Sequence, residues 1–91
     1  MNNLVYLYEP VYIPGSRFAI VAMSKSGSPY AMNKRGFTGS ESYDLPQSFP
    51  LMPYLIRMVE AEEDVPDYDD VMVAIKTAED RVKEVIRGSV G

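Results

Sequence analysis

The first apolar stretch of the chain, Leu4–Ile13, is rich in β-branched and aromatic residues, a composition that favours a β-strand. The turn sequence Pro14-Gly15-Ser16 follows, and a second apolar run occupies Arg17–Met23. This pattern predicts an antiparallel β-hairpin over residues 3–23. Because Pro10 has no N–H to donate, we expect the first strand to be an edge strand or to be bulged there.

The middle of the chain changes character. Serine and glycine dominate residues 24–48, which predicts a polar loop. A short third strand near Tyr30–Met32 is compatible with the pattern. A lone hairpin is marginal in water, so we expect either that third strand or a second copy of the chain beside it.

Two helices are predicted in the second half. Ser48-Phe49-Pro50 is typical of a helix start, so the first helix is expected over residues 50–61. Its apolar residues cover a broad arc of the helical wheel, which indicates contact with two surfaces. The second helix is expected over residues 67–87, with Asp67 as N-cap and Gly88 as the stop. Its apolar residues recur at helical spacing at Val71, Ile75, Ala78, Val82 and Val85.

This order of elements predicts a small two-layer α+β domain spanning residues 1–91, with the N-terminal hairpin packed against two C-terminal helices. The length allows one domain. The longest uncharged stretch, Leu45–Ile56, is far below the ~20 residues of a membrane helix, so no membrane partner is expected. The absence of cysteine agrees with a cytoplasmic location, which is our default expectation.

Composition restricts the chemistry. The chain has no His, no Cys and no Trp. This excludes thiol and Ser-His-Asp catalysis, disulfides and zinc sites of the usual kind. A cleft for paired carboxylates is hard to build in a domain of this size. We therefore expect a protein that is not an enzyme and needs no cofactor or metal.

Charge is distributed unevenly. The net charge is only −4, but residues 60–70 hold seven carboxylates and no basic residue. Such a segment can dock on a basic surface of another macromolecule, or it can be a solvated connection between helices. Clustered oxygens also suit Ca²⁺ or Mg²⁺, but the EF-hand spacing is missing. The seven residues are Glu60, Glu62, Glu63, Asp64, Asp67, Asp69 and Asp70.

Tyrosines mark a second candidate surface. In an extended strand Tyr6, Tyr8 and Tyr12 share the face opposite the aliphatic residues. Tyrosine suits a protein interface, and it can also stack on nucleic-acid bases. The alternative is that helices simply cover this face.

Basic residues are sparse near these tyrosines. The loop carries Lys25, Lys34 and Arg35, but no phosphate-binding glycine motif accompanies them. The acidic balance argues against general nucleic-acid binding. On the second helix, Met72 and Val73 lie at the edge of the apolar stripe or outside it, so they are candidate contacts with another subunit.

The sequence therefore leads to three hypotheses. The first is a small protein-binding inhibitor or modulator that docks on a basic surface of a larger complex, through the acidic residues and the tyrosines. Its size and charge are similar to those of small acidic phage or mobile-element proteins that act on host machinery. The second is an assembly subunit that forms a homodimer or larger homo-oligomer. The third is a weak binder of single-stranded nucleic acid.

Overall fold

The computed structural model describes residues 4–33 and 48–90 of the 91-residue chain. A four-stranded antiparallel sheet precedes two helices, so the predicted α+β class with an N-terminal hairpin and C-terminal helices is confirmed. The elements are β1 (Leu4–Tyr12), β2 (Phe18–Ser24), β3 (Pro29–Asn33), β4 (Phe49–Pro50), α1 (Leu51–Glu60) and α2 (Tyr68–Val90).

The strands follow one another across the sheet in chain order, so β1 lies at an edge. Tyr6 lies opposite Ala22 and Val11 lies opposite Ile20, and β1 therefore contains three more residues than β2 over this interval. Pro10 belongs to the resulting bulge. Both the predicted edge position and the predicted irregularity are confirmed, because a proline cannot donate to the ladder.

The bulge is held by α2. The guanidinium of Arg81 donates from one nitrogen to the carbonyl oxygens of Glu9 and Pro10, at 3.1 and 3.3 Å. The Glu9 carboxylate lies 3.8 Å from the same nitrogen and is well exposed. Two carbonyl oxygens of the bulge, where the β1–β2 register is interrupted, thus accept hydrogen bonds from a side chain of α2.

The predicted turn between the first two strands is present. Gly15 has φ 72°, a conformation that favours glycine. The Ser16 hydroxyl donates to the carbonyl of Ile13 at 2.7 Å and accepts from the backbone N–H of Phe18 at 3.1 Å. The side chain of Ser16 therefore joins the two ends of the turn.

The third strand is confirmed and is slightly longer than predicted. A fourth strand was not predicted, because Phe49 and Pro50 were assigned to a helix start. Phe49 pairs with Ala31 in β3, and Pro50 has an extended backbone at φ −64° and ψ 120°. Proline is tolerated in such an edge strand, so the helix begins one residue later. Residues 34–47 of the predicted loop lie outside the described residues.

The main core fills the space between the sheet and the helices. The aliphatic face of β1 is the buried one, as predicted, with Leu7, Val11 and Ile13 in the core. Strands β2 and β3, helix α1 and helix α2 supply the rest, and fully burying a Val, Leu, Ile, Phe or Met side chain contributes about 1.5–3 kcal/mol. These residues are Phe18, Ile20, Met23, Ala31, Leu51, Leu55, Met58, Val71, Ala74 and Ala78.

An aromatic cluster attaches α1 to the sheet. The ring of Phe18 meets the rings of Phe49 and Tyr54 edge to face, with centroids 6.2 and 5.7 Å apart. Phe49 and Tyr54 are 4.6 Å apart. Edge-to-face pairs of this kind contribute about 0.5–1.5 kcal/mol beyond area burial, so β2, β4 and α1 are fixed relative to one another.

Helix α2 packs closely on the sheet because its inner face carries small residues. Ala74 and Ala78 are buried against the core. The predicted start is confirmed, but the predicted stop at Gly88 is wrong, since the helix continues to Val90. A glycine inside a helix costs about 1 kcal/mol relative to alanine, but it does not force the helix to end there.

Candidate functional site

The acidic connection, residues 60–70, joins the end of α1 to the first turn of α2. Its carboxylate side chains lie on the surface: Asp70 is half-buried and the others are exposed. Glu60, Glu62, Glu63 and Asp64 follow one another at the end of α1, and Asp67, Asp69 and Asp70 surround the start of α2. The structure therefore brings all seven predicted acidic residues to one end of the helical layer.

Helix α1 ends in a Schellman motif. The backbone N–H of Glu62 donates to the carbonyl of Val59 at 3.0 Å, and that of Glu63 donates to the carbonyl of Met58 at 2.9 Å. Glu62 occupies the left-handed position of this motif, with φ 60°. Glycine normally fills that position, since a side chain there costs roughly 1–2 kcal/mol.

The start of α2 is capped by aspartate, as predicted. A carboxylate oxygen of Asp67 accepts a hydrogen bond from the backbone N–H of Asp69 at 3.2 Å. Asp69 and Asp70 lie in the first turn, where the helix macrodipole favours negative charge. These three carboxylates stabilise the helix that carries them.

The carboxylates at the end of α1 have no such role. The C-terminal end of a helix is its negative pole, so Glu60, Glu62 and Glu63 lie where the macrodipole disfavours them. Glu62 also has the left-handed backbone conformation. The fold therefore explains the three aspartates at α2 and leaves the charges at the end of α1 without a stabilising purpose.

An apolar groove lies directly beside these charges, between α1 and the start of α2. It has a volume of about 260 Å³ and an almost wholly apolar lining. Leu55 and Val71 are buried in it, whereas Ile56, Val59 and Tyr68 are 58, 60 and 68% exposed. The lining residues are Met52, Leu55, Ile56, Val59, Val65, Pro66, Tyr68 and Val71.

The sequence signal for this groove was the broad apolar arc of α1. Leu51, Leu55 and Met58 face the core, and Ile56 and Val59 lie on the other part of the arc. The sequence predicts that α1 contacts two surfaces. In the structure, one part of its apolar arc is buried in the core and the other part is open to solvent. Residues of the connection and of the α2 start complete the groove, and their participation could not be read from helical spacing.

The three candidate tyrosines do not form one exposed surface. Tyr6 is half-buried in a small second cluster on the sheet face away from the helices, with Leu4, Tyr30, Val21, Ala22 and Met32. Tyr8 is 77% exposed and Tyr12 is 40% exposed. Tyr8 lines a shallow depression with Glu9, Arg81, Glu84 and Val85.

Tyr8, the most exposed of the three, is also remote from the acidic connection. Tyr8 lies beside Arg81 and Glu84, more than three helical turns along α2 from Asp69. At 1.5 Å per residue, the span from Asp69 to Glu84 is about 22 Å. Tyr8 and the acidic connection are therefore separate patches.

Met72 and Val73 are exposed on the outer side of α2, at 41 and 65%. Neither residue lines the apolar groove. Their exposure agrees with the prediction that Val73 lies off the apolar stripe, and a contact with another subunit stays a prediction.

Of the basic candidates, Lys25 is the one within the described residues, and its surroundings there show no anion site. Lys25 lies in the β2–β3 turn and shares a shallow depression with Lys83, where the Glu79 carboxylate also lies. Lys34 and Arg35 lie outside the described residues. Within residues 4–33 and 48–90 no three His, Cys, Asp or Glu side chains converge as metal ligands would.

Comparisons with protein-family models, curated proteins and solved structures found no significant match to this chain. In the described part of the chain, neither α1 nor α2 is long and apolar enough to cross a membrane.

Proposed function

We propose that this protein is a small non-enzymatic inhibitor or modulator that docks on a basic surface of a larger macromolecular complex. The observation that carries the proposal is the set of exposed carboxylates at the negative end of α1, including Glu62 in a left-handed conformation. These charges oppose the fold rather than support it. Strain and unfavourable charge that persist in a small domain are typical of binding sites.

The charge pattern favours a protein partner over nucleic acid. Phosphate backbones are bound by clustered Lys and Arg, whereas this chain has net charge −4. The most exposed candidate for base stacking, Tyr8, lies next to the carboxylates of Glu9 and Glu84. These carboxylates would repel a phosphate backbone, so single-stranded nucleic acid is the weaker alternative.

The lack of buried polar side chains among the described residues supports a role without catalysis. Among the described residues no polar or charged side chain is buried. Active sites tune acids and bases by burial and by nearby charges, and this part of the chain offers no buried group to tune.

Assembly into a homo-oligomer through the sheet edges is also disfavoured. At one edge, the bulge in β1 interrupts the ladder and Arg81 binds the carbonyls of Glu9 and Pro10. At the other edge, β4 has two residues. Short and bulged edges are the usual protection against edge-to-edge pairing.

The proposed phage or mobile-element origin depends on size and charge alone.

The proposal is tested by retrieving partners with two charge-matched baits. The first bait changes acidic connection residues to amides: Glu62→Gln, Glu63→Gln, Asp67→Asn and Asp69→Asn. Asparagine caps helices as well as aspartate, so the start of α2 should stay intact. The second bait removes the same number of exposed charges elsewhere: Glu9→Gln, Glu79→Gln, Asp80→Asn and Glu84→Gln. Each bait and the unchanged protein are incubated with host extract at low salt, and retained proteins are identified.

A specific partner should be retained by the unchanged protein and by the second bait, and lost from the first. With the purified partner, association should slow at least about tenfold in the first bait and fall steeply with added salt, because steering by charge is screened. Equal association rates for both baits would rule out docking through the acidic connection.

A further inference from the structure

The apolar groove between α1 and α2 has the form of a docking site for a side chain. Its buried part is formed by Leu55 and Val71, and its open part by Ile56, Val59 and Tyr68. Large apolar side chains at this exposure and this proximity are typical of an interaction surface. Its volume of about 260 Å³ accommodates few side chains at a time.

The groove is poorly suited to a small metabolite. Such ligands use sites of about 300–1,000 Å³ in which a few polar groups fix the orientation. The lining here offers the Tyr68 hydroxyl as its polar side-chain group, and its other members are Met, Leu, Ile, Val and Pro. An apolar anchor on a macromolecule obtains its orientation from contacts outside the groove and does not need polar groups within it.

The surroundings of the groove select the charge of its occupant. Val59 is followed immediately by Glu60, and Glu62, Glu63 and Asp64 lead directly to Val65. On the other side, Tyr68 is flanked by Asp67 and Asp69. Carboxylates therefore border both the α1 end and the α2 end of the apolar lining. An occupant with basic residues beside its apolar anchors would be attracted, and an acidic occupant would be repelled.

The same charges disfavour a second copy of this chain in the groove. Two copies meeting groove to groove around a two-fold axis would bring like patches together. Seven carboxylates of one copy would then face seven of the other. Such a juxtaposition of like charges costs several kcal/mol.

We propose that the apolar groove binds a basic amphipathic segment of the partner protein, with apolar anchors seated between α1 and α2 and flanking Lys or Arg side chains on the acidic connection. Helix α1 has ten residues and is about 15 Å long, which is long enough to seat two anchors one helical turn, about 5.4 Å, apart. This inference rests on the proposed function and specifies the partner's recognition element. The groove provides the apolar contact, and the negative charge of the acidic connection selects a positively charged segment.

The first experiment uses synthetic peptides as probes. One is an amphipathic helical peptide of leucine and lysine, the second has the same composition in scrambled order, and the third keeps the leucine pattern with glutamate in place of lysine. Binding is followed by fluorescence anisotropy at about 0.05 M and about 0.5 M KCl. The ordered leucine–lysine peptide should bind best, and salt should weaken its binding. Equal binding of the scrambled peptide would show attraction by charge alone and would overturn the groove proposal.

The second experiment locates the binding site with two exposed valines. Val59→Thr changes a groove residue that is 60% exposed, and Val73→Thr changes a residue outside the groove that is 65% exposed. Both substitutions replace a methyl group with a hydroxyl on a helix surface, so both variants should fold normally. Val59→Thr should weaken binding of the leucine–lysine peptide by at least about fourfold, from the loss of one buried methyl group, whereas Val73→Thr should leave it unchanged.

The outcomes separate this inference from the proposed function. If the purified partner depends on the acidic connection but Val59→Thr has no effect on it, the proposed function stands and the groove proposal is wrong. If Val73→Thr weakens peptide binding and Val59→Thr does not, the anchors lie on the outer face of α2, which also overturns it. Light scattering completes the test, because a dimer that Val59→Thr dissociates would identify the occupant as a second copy and refute the proposal.

Discussion

Replacing Glu62 with glycine should make this protein more stable and a weaker binder. Glu62 ends α1 at φ 60°, where a side chain costs roughly 1–2 kcal/mol. Glycine relieves that cost but gives the unfolded chain more freedom, which offsets about 0.4–1 kcal/mol. With central values of about 1.5 and about 0.7 kcal/mol, the backbone contributes a net gain in unfolding free energy of about 0.8 kcal/mol.

Two control variants separate the backbone effect from the charge effect. Glu62→Gln removes the carboxylate from the negative end of α1 but keeps the side chain, so it should gain only the macrodipole contribution of about 0.3–1 kcal/mol. Glu63→Gly places glycine at the next position of the connection, which is not left-handed. It should give no backbone gain, because glycine there only increases the freedom of the unfolded chain.

Thermal and denaturant unfolding measure the difference. For a domain of this size 1 kcal/mol shifts Tm by about 4–8 °C, so Glu62→Gly should melt about 3–6 °C above Glu62→Gln. Its association with the basic partner should nevertheless slow, since one charge of the acidic connection is lost. A Glu62→Gly protein no more stable than Glu62→Gln would refute the assignment of strain to this residue.

Substitutions at three further positions test how α2 is held. Ala78→Val should destabilise the fold by about 1–3 kcal/mol in urea unfolding, because Ala78 is fully buried against the sheet; an unchanged midpoint would mean that the helix is not closely packed there. Asp67→Ala should lower the unfolding free energy by about 1 kcal/mol and Asp67→Asn should not, and equal losses would contradict the capping role. Arg81→Ala should cost about 1–2 kcal/mol and accelerate amide exchange at Glu9 and at the other residues that flank Pro10, whereas unaltered exchange would show that Arg81 does not hold the bulge.

Elements with a strong local signal were predictable from the sequence. Alternation identified the buried face of β1, and the lack of an N–H at Pro10 identified the irregular strand before any pairing was known. Helical spacing and an aspartate cap located the start of α2 at Tyr68. In each case neighbouring residues decide the structure.

Features that depend on distant partners were not predictable. Phe49 and Pro50 form a strand because β3 lies beside them, and their own sequence is equally typical of a helix start. The acidic residues form a visible cluster in the sequence. Which of them stabilise a helix and which destabilise one can be decided only when the positions of the helix ends are known. The apolar groove requires α1, the connection and α2 together, so its residues were noticed only as an arc that was too broad.

The covering of the first hairpin by the last helix has a consequence for synthesis of the chain. Strands β1 and β2 are made first, yet the apolar face they share is buried by α2, through contacts such as those of Val71 and Ala78. Translation proceeds at about 5–20 residues per second, so the 23 residues of α2 take roughly 1–5 s to complete. Until α2 has been made, the aliphatic face of the nascent hairpin stays exposed, and exposed apolar surface of this kind favours aggregation.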